Sequence, residues 1–153
     1  MLFRLGLIVL LSGAVGLDRE LKHKPAGAKT HILVGLGSTI FMLVSIYMFE
    51  AFRGQAQVDP GRIAAQVVTG IGFLGAGTII LSGSEVRGLT TAASLWAVAG
   101  IGLAVGAGMY FLAVVSALII LIVFLVINRI AFVFEKQFGE VRVRGRKSRG
   151  NKK

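Results

Sequence analysis

The sequence predicts an all-α polytopic membrane protein that crosses the bilayer five times. Hydrophobic residues make up 55% of the 153 residues and charged residues only 16%, against about 25% charged in an average soluble domain. The mean hydropathy is +0.80. A soluble protein of this length could not cover so much apolar surface with so few charges. The apolar residues also occur in long uncharged runs, which is typical of membrane spans.

Five apolar segments have about the length of a spanning helix, which is about 20 residues. They cover residues 2–17, 32–49, 63–81, 89–106 and 109–127. The last two are separated because residues 95–127 carry no charge and are too long for one span. Glycines at Gly106 and Gly108 can end one helix and permit a tight reversal. The first segment contains Arg4 and has a signal peptide as its alternative interpretation, although the basic loop after it opposes export.

The distribution of Lys and Arg predicts the orientation of the spans. Most basic residues fall in the loop 18–31 and in the tail after residue 127, whereas the loop 50–62 holds only Arg53 and Arg62. Loops rich in Lys and Arg stay on the cytoplasmic side. The N-terminus is therefore expected outside and the C-terminus in the cytoplasm.

The tail has two predicted parts. Residues 128–139 place apolar side chains at helical spacing, which predicts an amphipathic extension of the fifth helix or an interfacial helix. Residues 140–153 form a basic cytoplasmic tail. Such a cluster attracts anionic lipid headgroups, and it is equally interpreted as a plain topology signal.

Residues 70–75 match G-x-G-x-x-G, but they lie in an uncharged span without the strand and the acidic residue that a dinucleotide site needs. Small residues at helical spacing favour helix packing instead. We expect the glycine-rich third and fourth spans to form a tight antiparallel pair, which Gly72→Leu would disrupt. A substrate or ion route along these faces is the alternative. The packing residues are Ala65, Thr69, Gly72, Ala76, Ala93, Ala97, Gly100 and Ala104.

Two polar groups flank the spans. On the outer side, Asp59, Arg62 and Gln66 could form a polar entrance, although helix capping also explains an Asp-Pro pair at this position. On the cytoplasmic side, Asp18, Arg19 and Glu20 end the first span. They are interpreted either as a solvated helix end or as a structured network or metal site.

Several function classes are disfavoured by composition. The chain has no Cys and only two His, so Cys-based zinc sites and thiol nucleophiles are excluded. The polar loop 84–91 lacks a His or Cys base that could activate a Ser or Thr. We therefore predict a non-enzyme without a firm cofactor, and we assign the basic charge to membrane loops rather than to nucleic acid.

The chain resembles the MgtC/SapB family in three long stretches, residues 59–68, 70–77 and 86–96. It also matches two shorter motifs of that family. Residues 16–19 follow G-x-E-R with Asp18 in place of Glu, and residues 26–30 follow A-G-x-R-T with Lys29 in place of Arg. The resemblance covers about residues 10–112.

The resemblance implies a bacterial inner-membrane protein linked to magnesium-limited growth and, in pathogens, to virulence. It implies a regulator that acts on other membrane machinery, such as ATP synthase or a transporter. Many members carry a soluble C-terminal domain, so this chain is expected to be a short or truncated member. The cytoplasmic motif residues implied as a partner or ligand site are Asp18, Arg19, Glu20, Lys29, Thr30, Arg87, Thr90 and Thr91.

Two functions follow from these observations. The first is a regulator that binds another membrane complex, and the alternative is an oligomeric channel or transporter for a small cation such as Mg²⁺. Magnesium prefers oxygen ligands and dehydrates reluctantly, and all seven acidic residues are predicted in loops or the tail. This favours the regulator. A homo-oligomer is expected in either case.

Overall fold

The computed structural model describes residues 1–54 and 58–149, with side chains described as far as Ile130 except that of Asn128. Contacts divide the chain into two units, Met1–Leu118 and Ile119–Lys153. The described chain forms five helices and one short hairpin. The elements are α1 (Leu2–Leu21), α2 (Ala28–Ala51), α3 (Gly61–Gly77), β1 (Ile80–Ser82), β2 (Glu85–Arg87), α4 (Leu89–Gly106) and α5 (Tyr110–Arg149).

Within the described part of the chain, three helical segments are long and apolar enough to cross a membrane: Ala28–Ala51, Leu89–Gly106 and Tyr110–Ile127. By length and composition they correspond to the predicted spans 32–49, 89–106 and 109–127. The helix α1 contains Arg4, Asp18, Arg19 and Glu20, and α3 has only 17 residues. Their roles as spans stay predictions.

The third predicted span, 63–81, is too long at its C-terminal end. The helix stops at Gly77, where Thr78 Oγ1 donates to the Gly75 carbonyl at 2.8 Å. Ile80 then starts a strand, and β1 pairs antiparallel with β2 in the register Ile80↔Arg87 and Leu81↔Val86. Hydropathy alone cannot distinguish an apolar strand from a helix end, and the β-branched run from Thr78 favours the strand.

The core of the first unit lies among α1, α2 and α4. The helix α2 makes its most extensive contacts with α4 and α1, and α3 packs less extensively against α4 and α2. Close approach depends on glycines. A Cβ on Gly102 would lie 2.5 Å from the Gly35 carbonyl oxygen, and one on Gly16 would lie 2.6 Å from Ala28 Cα. Small residues let membrane helices approach in this way.

The predicted small-residue faces do not form the α3–α4 contact. All four predicted positions of α3, together with Ala93 and Gly100 of α4, are exposed, and Ala97 and Ala104 are half-buried. The contact uses the neighbouring face, where Gly75 lies against Ala92. Spacing showed that both helices carry small residues, but it could not decide which of several small faces would be covered. The exposed positions of α3 are Ala65, Thr69, Gly72 and Ala76.

The predicted tail extension is helical, since α5 continues through residues 128–139 and reaches Arg149. Side chains beyond Ile130 and residues 150–153 lie outside the described part of the chain. The amphipathic character of the extension and the lipid contact of the basic tail therefore stay predictions.

Candidate functional site

A buried histidine organises one end of the first unit. His31 lies in the first turn of α2 and is completely buried. Its Nδ1 is 2.8 Å from the Gly27 carbonyl oxygen and its Nε2 is 3.0 Å from Ser94 Oγ. A carbonyl oxygen only accepts, so Nδ1 carries a proton, and in the neutral ring Nε2 then accepts from the Ser94 hydroxyl. The contact joins α2 to α4.

The Ser94 hydroxyl has two acceptors within reach. Its Oγ is 2.8 Å from the Thr91 carbonyl oxygen as well as 3.0 Å from His31 Nε2. One hydroxyl proton serves one acceptor at a time. Ser94 therefore donates either to the imidazole or to the Thr91 carbonyl in the first turn of α4.

Glu20 fixes the start of α2 from the end of α1. Its Oε2 accepts the backbone N–H of Ala28 at 2.8 Å. The first N–H groups of a helix have no partner within the helix, and an acidic group there also stabilises the helix dipole. A Cβ on Gly27 would lie 2.8 Å from Glu20 Oε2. The glycine thus leaves room for this cap.

The other two predicted residues of α1 are largely buried. Arg19 is 4% exposed, and Asp18 forms an ion pair with Lys22. Burial lowers the pKa of the Arg19 guanidinium, and the nearby Asp18 carboxylate acts in the opposite direction. Among the described residues, Asp18 Oδ2 has no hydrogen-bond partner. These side chains belong to the internal structure of the helix end.

Five of the eight predicted motif residues are exposed at the same end: Glu20, Lys29, Thr30, Arg87 and Thr90. Thr91 is buried. Arg87 donates from Nη2 to Glu85 Oε2 at 2.9 Å. We call this region the motif end; it comprises residues 18–20, 27–31 and 85–94, which the Glu20 cap and the His31–Ser94 contact bring together.

The structure brings the three residues of the predicted outer entrance into one cavity. Asp59, Arg62 and Gln66 line a cavity of about 560 Å³ together with Ser45 and others of α2 and α3. The Ser45 hydroxyl donates to the Pro60 carbonyl at 2.6 Å, and Asp59 Oδ1 accepts the Gly61 N–H at 2.7 Å. We call this cavity the mouth. Its use as an entrance stays a prediction.

A second, apolar groove of about 660 Å³ runs between α2 and α3. It shares Ile63 and Gln66 with the mouth. Its walls come from residues Thr30 to Phe41 of α2 and Ile63 to Leu74 of α3. Among the residues whose side chains the structure describes, no group of three His, Cys, Asp or Glu could hold a metal ion.

Sequence reasoning missed His31, Ser94 and the contacts of Arg4. Arg4 donates from Nη1 to the Gly106 carbonyl at 2.7 Å and from Nε to the Tyr110 hydroxyl at 2.9 Å. An arginine in an apolar run signals a specific partner, and so does a histidine beside the A-G-x-R-T motif. The partners lie 63 to 106 residues away in the sequence, so spacing could not identify them.

Comparison with known proteins identifies the family. The model of the MgtC family matches residues 5–132. The chain belongs to the MgtC family. Its apolar helices and its family membership together identify the chain as a membrane protein.

Relatives in the family share almost half of their aligned residues with this chain. "Putative magnesium transporter YhiD" of Escherichia coli K12 is 44% identical over 86% of this chain and 62% of its own length. "Protein SapB" of Bacillus subtilis is 45% identical over 79% of this chain and 53% of its own. "Protein MgtC" of Salmonella typhimurium is 44% identical over 74% and 46%.

The chain therefore spans about half to three fifths of the length of these curated relatives. The first of these names describes a putative magnesium transporter. No solved structure matches the chain.

Proposed function

We propose that this chain is a membrane regulator in magnesium homeostasis, which acts by binding another membrane complex through the motif end. The magnesium role rests on family membership and on the name of the Escherichia coli relative. The convergence of three separate sequence segments at one end carries the proposal. The Glu20 cap and the His31–Ser94 contact hold Lys29, Thr30 and Thr90 exposed on a fixed frame.

The exposed groups of the motif end are suited to binding a partner protein. The Lys29 ammonium and the Arg87 guanidinium are cations with several donors, and Thr30 and Thr90 add hydroxyl groups. Such a surface complements an acceptor-rich, acidic patch on a partner. A fixed frame lowers the entropy that binding would otherwise cost.

From the family resemblance, we propose ATP synthase or a transporter as the partner. The proposal places the protein in the bacterial inner membrane, with the N-terminus outside and the motif end and the C-terminus in the cytoplasm. In a pathogen, the same regulation would support growth inside host cells.

Affinity purification of the full chain in mild detergent, followed by mass spectrometry, tests the proposal. Lys29→Glu combined with Arg87→Glu should remove the co-purifying complex, because the surface reverses its charge. The matched control is Arg53→Glu, which reverses an exposed charge beyond the C-terminal end of α2. Equal recovery of the partner from both variants would show that the motif end does not bind the partner.

The alternative is an oligomeric channel for a small cation such as Mg²⁺. One observation favours it. A Cβ placed on Gly70, Gly72 or Gly77 of α3 would meet no atom within 4 Å, so other copies could approach these backbones closely. A ring of such helices could expose carbonyl oxygens to an ion.

Flux measurements separate the two functions. Purified protein in liposomes loaded with a magnesium-sensitive dye should show no flux above that of empty vesicles. Saturable flux that disappears in Gln66→Leu would establish the channel and refute the regulator as the primary function.

A further inference from the structure

We infer that the groove and the mouth between α2 and α3 form one binding site for a zwitterionic glycerophospholipid whose headgroup carries a phosphate and a primary ammonium. An acyl chain would occupy the groove, and the headgroup would occupy the mouth. The two cavities share Ile63 and Gln66. One amphiphilic molecule can therefore reach from one cavity into the other.

The groove suits a hydrocarbon chain. Its walls are formed mainly by apolar side chains, among them Leu33, Phe41, Val67 and Leu74. The hydroxyl of Ser38 also lies on the wall, but it donates to the Val34 carbonyl at 2.9 Å. This donor is thus engaged within α2, and only Thr30 and Gln66 add further polar side chains to the described lining. A pocket that is mostly apolar favours an apolar occupant.

The position of the mouth suits a headgroup. It is lined by Ser45 and Met48 near the C-terminal end of α2 and by Arg62 in the first turn of α3. The apolar groove begins where the mouth ends and continues towards Thr30 in the first turn of α2. A lipid lying along a transmembrane helix has the same order, with the headgroup at the helix end and the chain deeper in the bilayer.

The charges of the mouth select the headgroup. Asp59 and Arg62 both line the mouth and are exposed. No salt bridge joins these two described side chains. Arginine binds phosphate oxygens through its planar set of donors. Asp59 Oδ1 accepts from Gly61, so Oδ2 is available to accept from an ammonium group. Two separate charges of opposite sign complement a headgroup that carries both.

Related headgroups should therefore bind less well. The quaternary ammonium of phosphatidylcholine has no N–H to donate to Asp59, and phosphatidylglycerol has no cation at all. Gln66, at the junction of the two cavities, can donate to an ester carbonyl in all three lipids and does not discriminate among them.

Native mass spectrometry of the full chain tests the order of preference. The detergent-purified protein is exposed to an equimolar mixture of phosphatidylethanolamine, phosphatidylcholine and phosphatidylglycerol that share the same acyl chains. We expect phosphatidylethanolamine to be retained about tenfold more than either competitor, because each competitor lacks one charge-assisted hydrogen bond. Equal retention of the three lipids would overturn the proposal.

Single substitutions in the mouth test the contribution of each charged side chain to lipid binding. Arg62→Gln removes the phosphate contact, and Asp59→Asn removes the ammonium contact while Asn keeps the capping acceptor. Asp59→Asn should abolish the preference over phosphatidylglycerol, and Arg62→Gln should lower retention of all three lipids by about tenfold. Unchanged retention in both variants would refute the role of the mouth.

A matched glycine pair tests the groove. Gly70 lines the groove and Gly72 does not, and a Cβ on either would meet no atom within 4 Å. Gly70→Leu should fill the groove and remove bound lipid, whereas Gly72→Leu should retain it. Circular dichroism of both variants shows whether they keep their helical content.

Crosslinking identifies the occupant directly. Phosphatidylethanolamine with a photoreactive acyl chain should label residues 33–41 of α2 or 63–74 of α3 in the full chain. Loss of this labelling in Gly70→Leu would support the assignment. Crosslinks between two copies of the chain at Phe41 or Leu74 would instead show that a second copy fills the groove, and would overturn the proposal.

Discussion

The imidazole Nε2 of His31 lies 3.0 Å from Ser94 Oγ, inside the contact between α2 and α4. Both side chains are almost completely buried. His31 is the fourth residue of α2 and Ser94 is the sixth residue of α4. The contact shows that the two helices start at the same end of the first unit. It therefore fixes where the exposed residues of the motif end stand relative to one another.

His31→Leu should destabilise the folded protein by about 1–3 kcal/mol, because it removes the two hydrogen bonds of the buried ring, each of which contributes about 0.5–1.5 kcal/mol. Ser94→Ala should have a smaller effect, since it removes only one of the two contacts of the ring. The measurement is thermal unfolding in detergent, followed by size-exclusion chromatography. The control is His23→Asn, because His23 is exposed in the loop after α1 and has φ of +51°, a conformation that asparagine tolerates.

A double-mutant cycle separates the His31–Ser94 contact from general loss of packing. If the hydrogen bond stabilises the fold, the effects of His31→Leu and Ser94→Ala on the free energy of unfolding should not be additive. Contacting residues show coupling energies of about 0.5–3 kcal/mol. Strict additivity would mean that each side chain stabilises the protein through other neighbours.

Glycine contacts provide the second prediction. Gly102→Ala should greatly reduce the yield of folded protein, because the new Cβ would lie 2.5 Å from the backbone oxygen of Gly35, which cannot move aside alone. Gly100→Ala, two residues away, meets no atom within 4 Å. It should be neutral or mildly stabilising, because alanine has the higher helix propensity. Fluorescence-detected size-exclusion chromatography measures both yields.

The α3–α4 contact gives the third prediction and revises the expectation for Gly72. Gly72→Leu should be tolerated, since its Cβ faces open space. Gly75→Leu should weaken the contact, because a Cβ there already lies 3.5 Å from Ala92 Cβ and a leucine is larger still. Limited proteolysis at the hairpin 80–87 would report the difference. Equal protection of both variants would place the α3–α4 contact on another face.

The sequence predicted the number of helices, the boundaries of most apolar segments and the use of small residues for packing. It assigned the small residues to the wrong faces because several faces of α3 and α4 are small. The choice among them depends on α2, which packs against both α1 and α4 and covers Gly102 and Gly106. Such a choice depends on three-dimensional contacts that periodicity does not encode.

At the motif end, too, the sequence identified the residues but not their contacts. Motif matching found Asp18, Arg19 and Glu20, but it left open whether they form a solvated helix end or a structured network or metal site. In the structure Glu20 caps α2 and Arg19 is buried. Whether a charged side chain caps a helix, pairs internally or faces a partner depends on the approach of a second helix, here through Gly16.

The hairpin gives the fourth prediction. Gly88 has φ of +91°, a conformation that residues with a Cβ rarely adopt, and its Cβ would lie 1.8 Å from the Thr78 carbonyl oxygen. Gly88→Ala should therefore displace the hairpin from the start of α4 and lower the thermal unfolding temperature. The control is Gly83→Asn, since Gly83 has φ of +64° and open space, which asparagine tolerates. A similar loss in both variants would mean that the hairpin turn, not the Gly88 contact, sets stability.

Orientation is the last prediction, and it determines whether the motif end can meet a cytoplasmic partner. The chain has no Cys, so single cysteines report their own position. A cysteine at Lys24, beyond the C-terminal end of α1, should be protected from an impermeant thiol reagent added outside intact cells, and so should one at Lys147. Gln55, the outer position suggested by the loop charges, lies outside the described residues, so Arg53→Cys takes its place beyond the C-terminal end of α2. It should react, because α2 starts at the motif end and its length carries the chain across the bilayer. Labelling at position 24 and protection at position 53 would reverse the orientation and place the motif end outside the cell.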